Sequence, residues 1–214
     1  NMKLACEMVN QIVSNPESSI GVLVDSDLDG CMSATAIVQF LKSISVNPKI
    51  FFHPIKAHGL TTYNIDEIEN ANLNLLIIPD AGSNDTQYCS RLTSHGTKIL
   101  VLDHHEIVEE NPYAIIVNHH LDKTGKLNTD LSGCGVTFKF IQAYAEDNAI
   151  DIGDLYYDLV ATSIVTDVCS MLHPENRALV EYGFNHITNP MVATMFEKFN
   201  RRGNNPLGVA WGIG

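Results

Sequence analysis

Cations are scarce in this chain. Its 214 residues carry 13 Lys and Arg against 25 Asp and Glu, a formal net charge of −12. Taken alone, that balance argues against nucleic-acid binding, because contacts to phosphates need Lys and Arg. Long apolar runs are missing as well. None approaches the roughly 20 residues of a membrane span, and no basic-then-apolar signal segment opens the chain. Asn1 ahead of Met2 reads as a cloning remnant. The five cysteines, Cys6, Cys31, Cys89, Cys134 and Cys169, form no C-x-x-C pair and leave one unmatched. The expected setting is therefore reducing and cytoplasmic. No G-x-S-x-G elbow is present, which excludes that form of Ser/His/Asp hydrolase. Repeats and low-complexity tracts are absent too. What remains is 45% hydrophobic and 18% charged, the composition of a globular protein with an ample core and one large or two small domains.

Three apolar runs are present, and each stops on an aspartate. Gly21-Val22-Leu23-Val24 leads into Asp25-Ser26-Asp27-Leu28-Asp29-Gly30, Leu75-Leu76-Ile77-Ile78-Pro79 into Asp80, and Ile99-Leu100-Val101-Leu102 into Asp103-His104-His105. Short continuous runs of Val, Ile and Leu read as strands buried on both faces, the pattern of a parallel sheet. Ligands of such sheets sit just beyond the carboxyl ends of the strands. Carboxylates and imidazoles from three strand ends then converge on one crevice, where uncompensated negative charges repel strongly. Bound divalent cations are the simplest compensation, and two of them contribute +4 against the unfavourable net charge.

Along the chain, helical spacing over 3–14 is followed by a strand at about 20–25 and a helix after Gly30. Lys49 to His53 reads as a second strand, and 55–72 as a polar segment with His58-Gly59-Leu60 in a loop. Strands at 74–79, 98–102 and 114–117 follow, with Ser83 or Asn84 positioned to cap a helix after the first of these. Alternating strands and helices predict an α/β domain, a parallel sheet flanked by helices with right-handed crossovers. Beyond about residue 133 the pattern is helical, over 135–147, 153–169, 175–187 and 190–199. Residues 2–200 are expected to form one domain. Arg201 to Pro206 reads as a linker, and the apolar Leu207 to Gly214 as the start of something that the chain does not complete.

Each constellation has a plain alternative. Asp25, Asp27 and Asp29 before Gly30 suit a strand-to-helix turn as well as a metal site. A calcium loop is excluded, because its twelfth position, counted from Asp25, is Ala36 rather than glutamate. Asp80 alone is weaker still. Asp103-His104-His105 offers oxygen and nitrogen ligands together, suited to Mn²⁺ or another first-row metal. Asp167 follows the apolar stretch Leu159 to Thr166, where a buried acid needs a partner or a ligand. Ser132-Gly133-Cys134-Gly135-Val136-Thr137 opens a helix and is either a Gly-rich turn or a phosphate site. His119-His120 is a candidate second site, with surface or satisfied histidines the better account.

In order and spacing, Asp25-x-Asp27-x-Asp29-Gly30, Asp80, Asp103-His104-His105 and Asp167 resemble the four signature motifs of the DHH phosphoesterase superfamily. The form of the first motif, Pro54 with His58-Gly59-Leu60, Val117-Asn118 and Ser132 to Lys139 resemble its RecJ-type single-strand-specific exonucleases in particular. The chain departs from most members at Leu23, where they carry a histidine; Asp25 is the expected substitute ligand. The resemblance implies two Mn²⁺ or Mg²⁺ ions. Asp29, Asp80, His104 and Asp167 would hold one, and Asp25, Asp27 and Asp80 the other, with Asp80 bridging. It also implies that His105 meets the phosphate, that Asp103 orients His104, and that the backbone of Gly133, Cys134 and Gly135 donates to a neighbouring phosphate. The implied activity is 5′-to-3′ hydrolysis of single-stranded DNA, more than RNA, in repair or recombination. A C-terminal DHH-associated domain beyond residues 201–214 would be needed to grip the strand. The alternatives are a phosphoesterase of small substrates, such as nanoRNA, cyclic dinucleotides or nucleotide bisphosphates, and a non-catalytic replication scaffold.

Overall fold

Strand formation follows the apolar runs. β1 (Ile20–Leu23) and β3 (Leu75–Pro79) are buried at every residue, and β4 (Lys98–Leu102) at every residue but the first. In the computed structural model, which describes residues 1–199, they join β2 (Lys49–Phe51) and β5 (Ile115–Val117) in one sheet. Its order is β2-β1-β3-β4-β5, and every pairing is parallel. Alternation along the strands divides the core in two. Val22, Leu75, Ile77, Leu100 and Leu102 face α1 (Met2–Val13), α2 (Leu28–Ser43) and α5 (Gly133–Asp147). Leu23, Leu76, Ile78, Ile99 and Val101 face α3 (Ile65–Asn70) and α4 (Thr86–Ser94). Behind the first layer, α6 (Tyr157–Thr166), α7 (Pro174–Asn185) and α8 (Pro190–Phe199) extend the larger core. This is the expected α/β fold with a helical C-terminal portion.

From β1 the chain moves to one side to form β2, then crosses to the other to form β3. That reversal opens a crevice beyond the carboxyl ends of β1 and β3, the place where open α/β sheets bind ligands. Asp25 to Asp29 and Asp80 stand at this point, and Asp103-His104-His105 follows the neighbouring β4.

Several boundaries differ from the sequence reading. The polar segment 55–72 contains α3, anchored by only two buried apolar residues, Ile65 and Ile68. α6 starts at Tyr157 rather than 153, because Tyr156 has φ 75° and cannot continue a right-handed helix. Neither Ser83 nor Asn84 caps α4, whose N-cap residue is Asp85. Asn84 instead ties two loops together, donating to Glu106 O and accepting from Val108 N. Among the described residues no helix is long and apolar enough to cross a membrane. The expected linker at 201–206 and the apolar segment 207–214 lie outside the described residues.

Candidate metal centre

The D-x-D-x-D-G turn spreads three carboxylates in three directions. Asp27 is the N-cap of α2 and accepts from Gly30 N at 2.9 Å. Gly30 is fixed by space, since a Cβ there would lie 2.9 Å from the backbone of Asp25. Asp29, in the first turn of α2, is buried, as is Asp25, while Asp27 is exposed. Asp80 ends β3 in the left-handed region, at φ 65°. A non-glycine residue held there costs on the order of 1–3 kcal/mol, and such strain concentrates at functional sites. A Cβ on Gly133 would collide with the Asp80 carboxylate, so the start of α5 lies directly against it. Asp167 is the C-cap of α6, followed by Val168 at φ 58°. A β-branched residue in that region is a second outlier beside the same site.

Asp80 is the electrostatic centre of the cluster. Both of its carboxylate oxygens are buried without a hydrogen-bond partner. Burial, and after it the carboxylates of Asp29, Asp27, Asp103 and Asp25, push its acid well above the usual carboxylate range. The Nε2 of His104 lies 3.3 Å from Asp80 Oδ1, and 3.8 Å from both Asp29 Oδ2 and Asp167 Oδ2. Three groups bring one ligand atom per residue within 4.8 Å of one another: Asp29, His104 and Asp167; Asp25, Asp27 and Asp80; and Asp80, His104 and His105. Leaving buried carboxylate oxygens unpaired is costly. An oxygen-rich set with imidazole fits Mn²⁺ or Mg²⁺, and the orphaned Asp80 oxygens are the feature that a cation would satisfy.

Two sequence expectations are corrected by the hydrogen bonds. The imidazole that Asp103 holds is that of His105, whose Nδ1 donates to Asp103 Oδ1 at 2.8 Å; His104 gives Asp103 only its backbone N–H. Burial acts to raise Asp103, but bonds from the His105 ring and Ser83 outweigh it and hold the acid below its ordinary range. The amides at the start of α5 are also not free for phosphate. Gly133 N and Cys134 N both donate to Asp29 at 2.8 Å, and Gly135 N donates to Ser132 Oγ. A helix N-terminus attracts an anion, and here the anion is a side chain of the protein.

Asp25 is similarly engaged. Its Oδ1 accepts from Gly59 N at 2.8 Å and its Oδ2 from His58 Nδ1 at 2.9 Å, so the loop after β2 is pinned to the end of β1. These bonds use oxygens that a metal would otherwise claim and make Asp25 first a positioning group. Around these ligands stand residues to which the sequence alone assigns no role, although His58 and Asn118 carry part of the resemblance. The His58 ring lies edge-to-face on His105 with centroids 4.5 Å apart. Ser163 Oγ donates to Asp29 at 2.6 Å, and Asn118 Nδ2 donates to His105 O and Ser83 Oγ. His119, expected to be satisfied or at the surface, is buried and has no hydrogen-bond partner on either ring nitrogen.

Known proteins give this arrangement a family. Residues 19–164 match the model of the DHH family, N-terminal domain. A putative SPbeta prophage-derived single-strand DNA-specific exonuclease, YorK, of Bacillus subtilis (strain 168) is 32% identical over 194 residues, covering 89% of this chain and 33% of that protein. The single-stranded-DNA-specific exonuclease RecJ of Haemophilus influenzae is 27% identical, covering 85% of this chain and 34% of its own length. This chain thus spans about a third of the curated relatives it matches. A crystal structure of exonuclease RecJ bound to manganese shares the fold at TM-score 0.87 and 24% identity, over 99% of this chain and 55% of that one. RecJ in complex with Mn²⁺ from Thermus thermophilus does so at 0.84 and 23%, over 99% of this chain and 31% of that one. With the family model matched through the sheet, the D-x-D-x-D-G turn, Asp80 and the D-H-H triplet, the chain belongs to the DHH family and contains its N-terminal domain.

Proposed function

We propose that this domain is the catalytic core of a two-metal phosphodiesterase that hydrolyses single-stranded DNA from its 5′ end. The observation that carries the reading is Asp80, a strained, buried carboxylate with two unpartnered oxygens that is shared by two of the three ligand groups. Asp29, Asp80, His104 and Asp167 would hold one Mn²⁺ or Mg²⁺ ion; Asp27 and Asp80, backed by Asp25, would hold the other. When bound, two such ions supply Lewis acidity for both the attacking and the leaving oxygen of an in-line displacement. The protein does the positioning. Gly133, Cys134 and Ser163 fix Asp29, and His58 with Gly59 fixes Asp25. Asp103 orients His105 through Nδ1, which leaves Nε2 of this half-exposed ring free for a phosphate oxygen.

The names of YorK and RecJ support a single-stranded DNA substrate. With 25 acidic and 13 basic residues, the domain is a poor grip for a phosphate chain. We therefore place the strand-holding surface in a further domain of a longer protein. The unpaired state of Cys6, Cys31, Cys89, Cys134 and Cys169 supports a cytoplasmic setting. Incubation with Mn²⁺ and 5′-labelled single-stranded DNA, RNA or a dinucleotide tests the reading. DNA should lose its 5′-terminal nucleotide fastest. Absence of hydrolysis on all three would sink the proposal, and preference for the dinucleotide would replace it with a small-substrate phosphoesterase.

A further inference from the structure

Asp29 and Asp167, which share one of the two proposed ions, come from distant parts of the chain. One buried side chain ties together the loops beside them. Asn176, in the first turn of α7, has no exposed surface. Its Nδ2 donates to Asp130 O at 2.9 Å and to Ser170 O at 3.0 Å, and its Oδ1 accepts from Asn128 Nδ2 at 2.7 Å. Asn128 in turn accepts from Asp130 N at 3.0 Å. Nothing in the metal centre touches Asn176, so three well-formed bonds on this amide call for a different account.

Each of the two loops runs directly into the site. Just past Asp130 come Ser132, the N-cap of α5, and the amides of Gly133 and Cys134 that hold Asp29. Just ahead of Ser170 come Asp167 and Val168. Val168 has φ 58° and is 85% exposed, so side-chain packing does not hold its strained backbone. Hydrogen bonds must do so. Cys169 N donates to Ile164 O at 3.0 Å, Asn176 holds Ser170 O, and Arg177 Nη1 donates to Met171 O and Leu172 O, both at 2.8 Å. α6 links the two ligands as well, through Ser163 on Asp29. Asp167, however, lies past the last residue of that helix, where the loop sets its direction.

We propose that Asn176 is a positioning residue of the metal centre, a brace that sets Asp167 against Asp29 for one cation between them. The proposal rests on the reading of this crevice as a two-metal centre. The ion among Asp29, His104 and Asp167 depends on the brace. The ion beside Asp27 does not, because Asp27 is fixed by Gly30 N, and Asp25 by Gly59 N and His58. None of those bonds involves α7, which keeps its own apolar anchors in Leu179, Val180 and Phe184 when Asn176 is replaced.

Hydrogen exchange of the metal-free chain, followed by mass spectrometry, reads the brace without any cation. Asn176→Ala should speed exchange about tenfold in both 128–135 and 167–173, the effect of losing one or two net hydrogen bonds, while 179–185 stay protected. Calorimetry with Mn²⁺ reads the consequence. One of two binding steps should weaken about tenfold, as when an orienting partner of a ligand is removed, and the other should be unchanged. Adding Asp27→Asn should then remove the unchanged step. Asn128→Ala, which deletes one bond to the brace and leaves α7 intact, should act in the same direction more weakly and serves if Asn176→Ala does not fold. Faster exchange confined to 167–173, faster exchange spread evenly through α7, or equal loss of both Mn²⁺ steps would overturn the proposal. Absence of Mn²⁺ binding by the unmodified chain would refute the metal centre instead, and the exchange result alone would then support or overturn the brace.

Discussion

Asp80 combines an unfavourable backbone conformation with two oxygens that nothing in the protein satisfies, so its chemistry can be removed without removing a hydrogen bond. Asp80→Asn should abolish hydrolysis and weaken Mn²⁺ binding measurably by calorimetry, because an amide is a poor bridge between two cations. Activity within a few-fold of the unmodified chain would take Asp80 out of the site. The adjacent histidines divide the work differently. His104 sits among Asp29, Asp80 and Asp167, whereas His105 gives its Nδ1 to Asp103 and reaches only Asp80 of these three. His104→Ala should therefore lose metal first, and His105→Ala should lose turnover first. Asp103→Asn should follow His105→Ala, with turnover lower by about 10–100-fold, the usual effect of removing an orienting carboxylate. If Asp103→Asn instead resembles His104→Ala in a Mn²⁺ titration, the pairing of Asp103 with His105 is wrong.

At the scale of elements, the start of α5 is built into the site: its amides grip Asp29 and its glycine makes room for Asp80. Gly133→Ala should push Asp80 out of register. Mn²⁺ affinity and hydrolysis should both collapse, while far-UV circular dichroism retains the helical signal. Near-normal metal binding in this variant would mean that the close approach is not needed. This is also where the sequence was least informative. The strands at 20–23, 75–79 and 98–102 could be read because each is an uninterrupted apolar run closed by aspartate. The placing of Asp25, Asp27, Asp29, Asp80, His104 and Asp167 around one crevice followed from those strand ends and from the family resemblance. What the chain did not disclose were contacts between distant positions. Gly133 and Ser163 reach Asp29 across 104 and 134 residues, and His58 reaches Asp25 across 33. A Gly-rich helix start looks the same whether its amides await a phosphate or already hold a carboxylate. α3 was hidden for a simpler reason: six residues with two buried apolar positions carry too little periodicity to stand out from a polar loop.

For the molecule as a whole, the carboxylate cluster makes stability a matter of what neutralises it. Asp80 and Asp29 both keep their protons to higher pH in the folded chain than in the unfolded one, burial being the main cause in each. The folded state therefore binds more protons. These two groups favour folding in acid, and that contribution is lost as pH rises through their raised values. Bound cations must displace the same protons, so metal stabilisation should grow in the opposite direction. Urea unfolding should show Mn²⁺ adding about 2.7 kcal/mol for each ion bound when free metal is a hundredfold above that site's dissociation constant. The increment at a fixed metal concentration should be larger at about pH 8 than at about pH 5. An increment independent of pH would mean that these carboxyls do not bind the metal.

Anomalous scattering from crystals of the chain soaked in Mn²⁺, recorded near the manganese edge, puts the two-metal assignment to its plainest trial. Two peaks should flank the Asp80 carboxylate, one among Asp29, His104 and Asp167, the other beside Asp27, separated by roughly 4 Å. A map with no peak within bonding distance of Asp80, or with manganese only on surface carboxylates elsewhere, would contradict the assignment of this crevice as a two-metal centre.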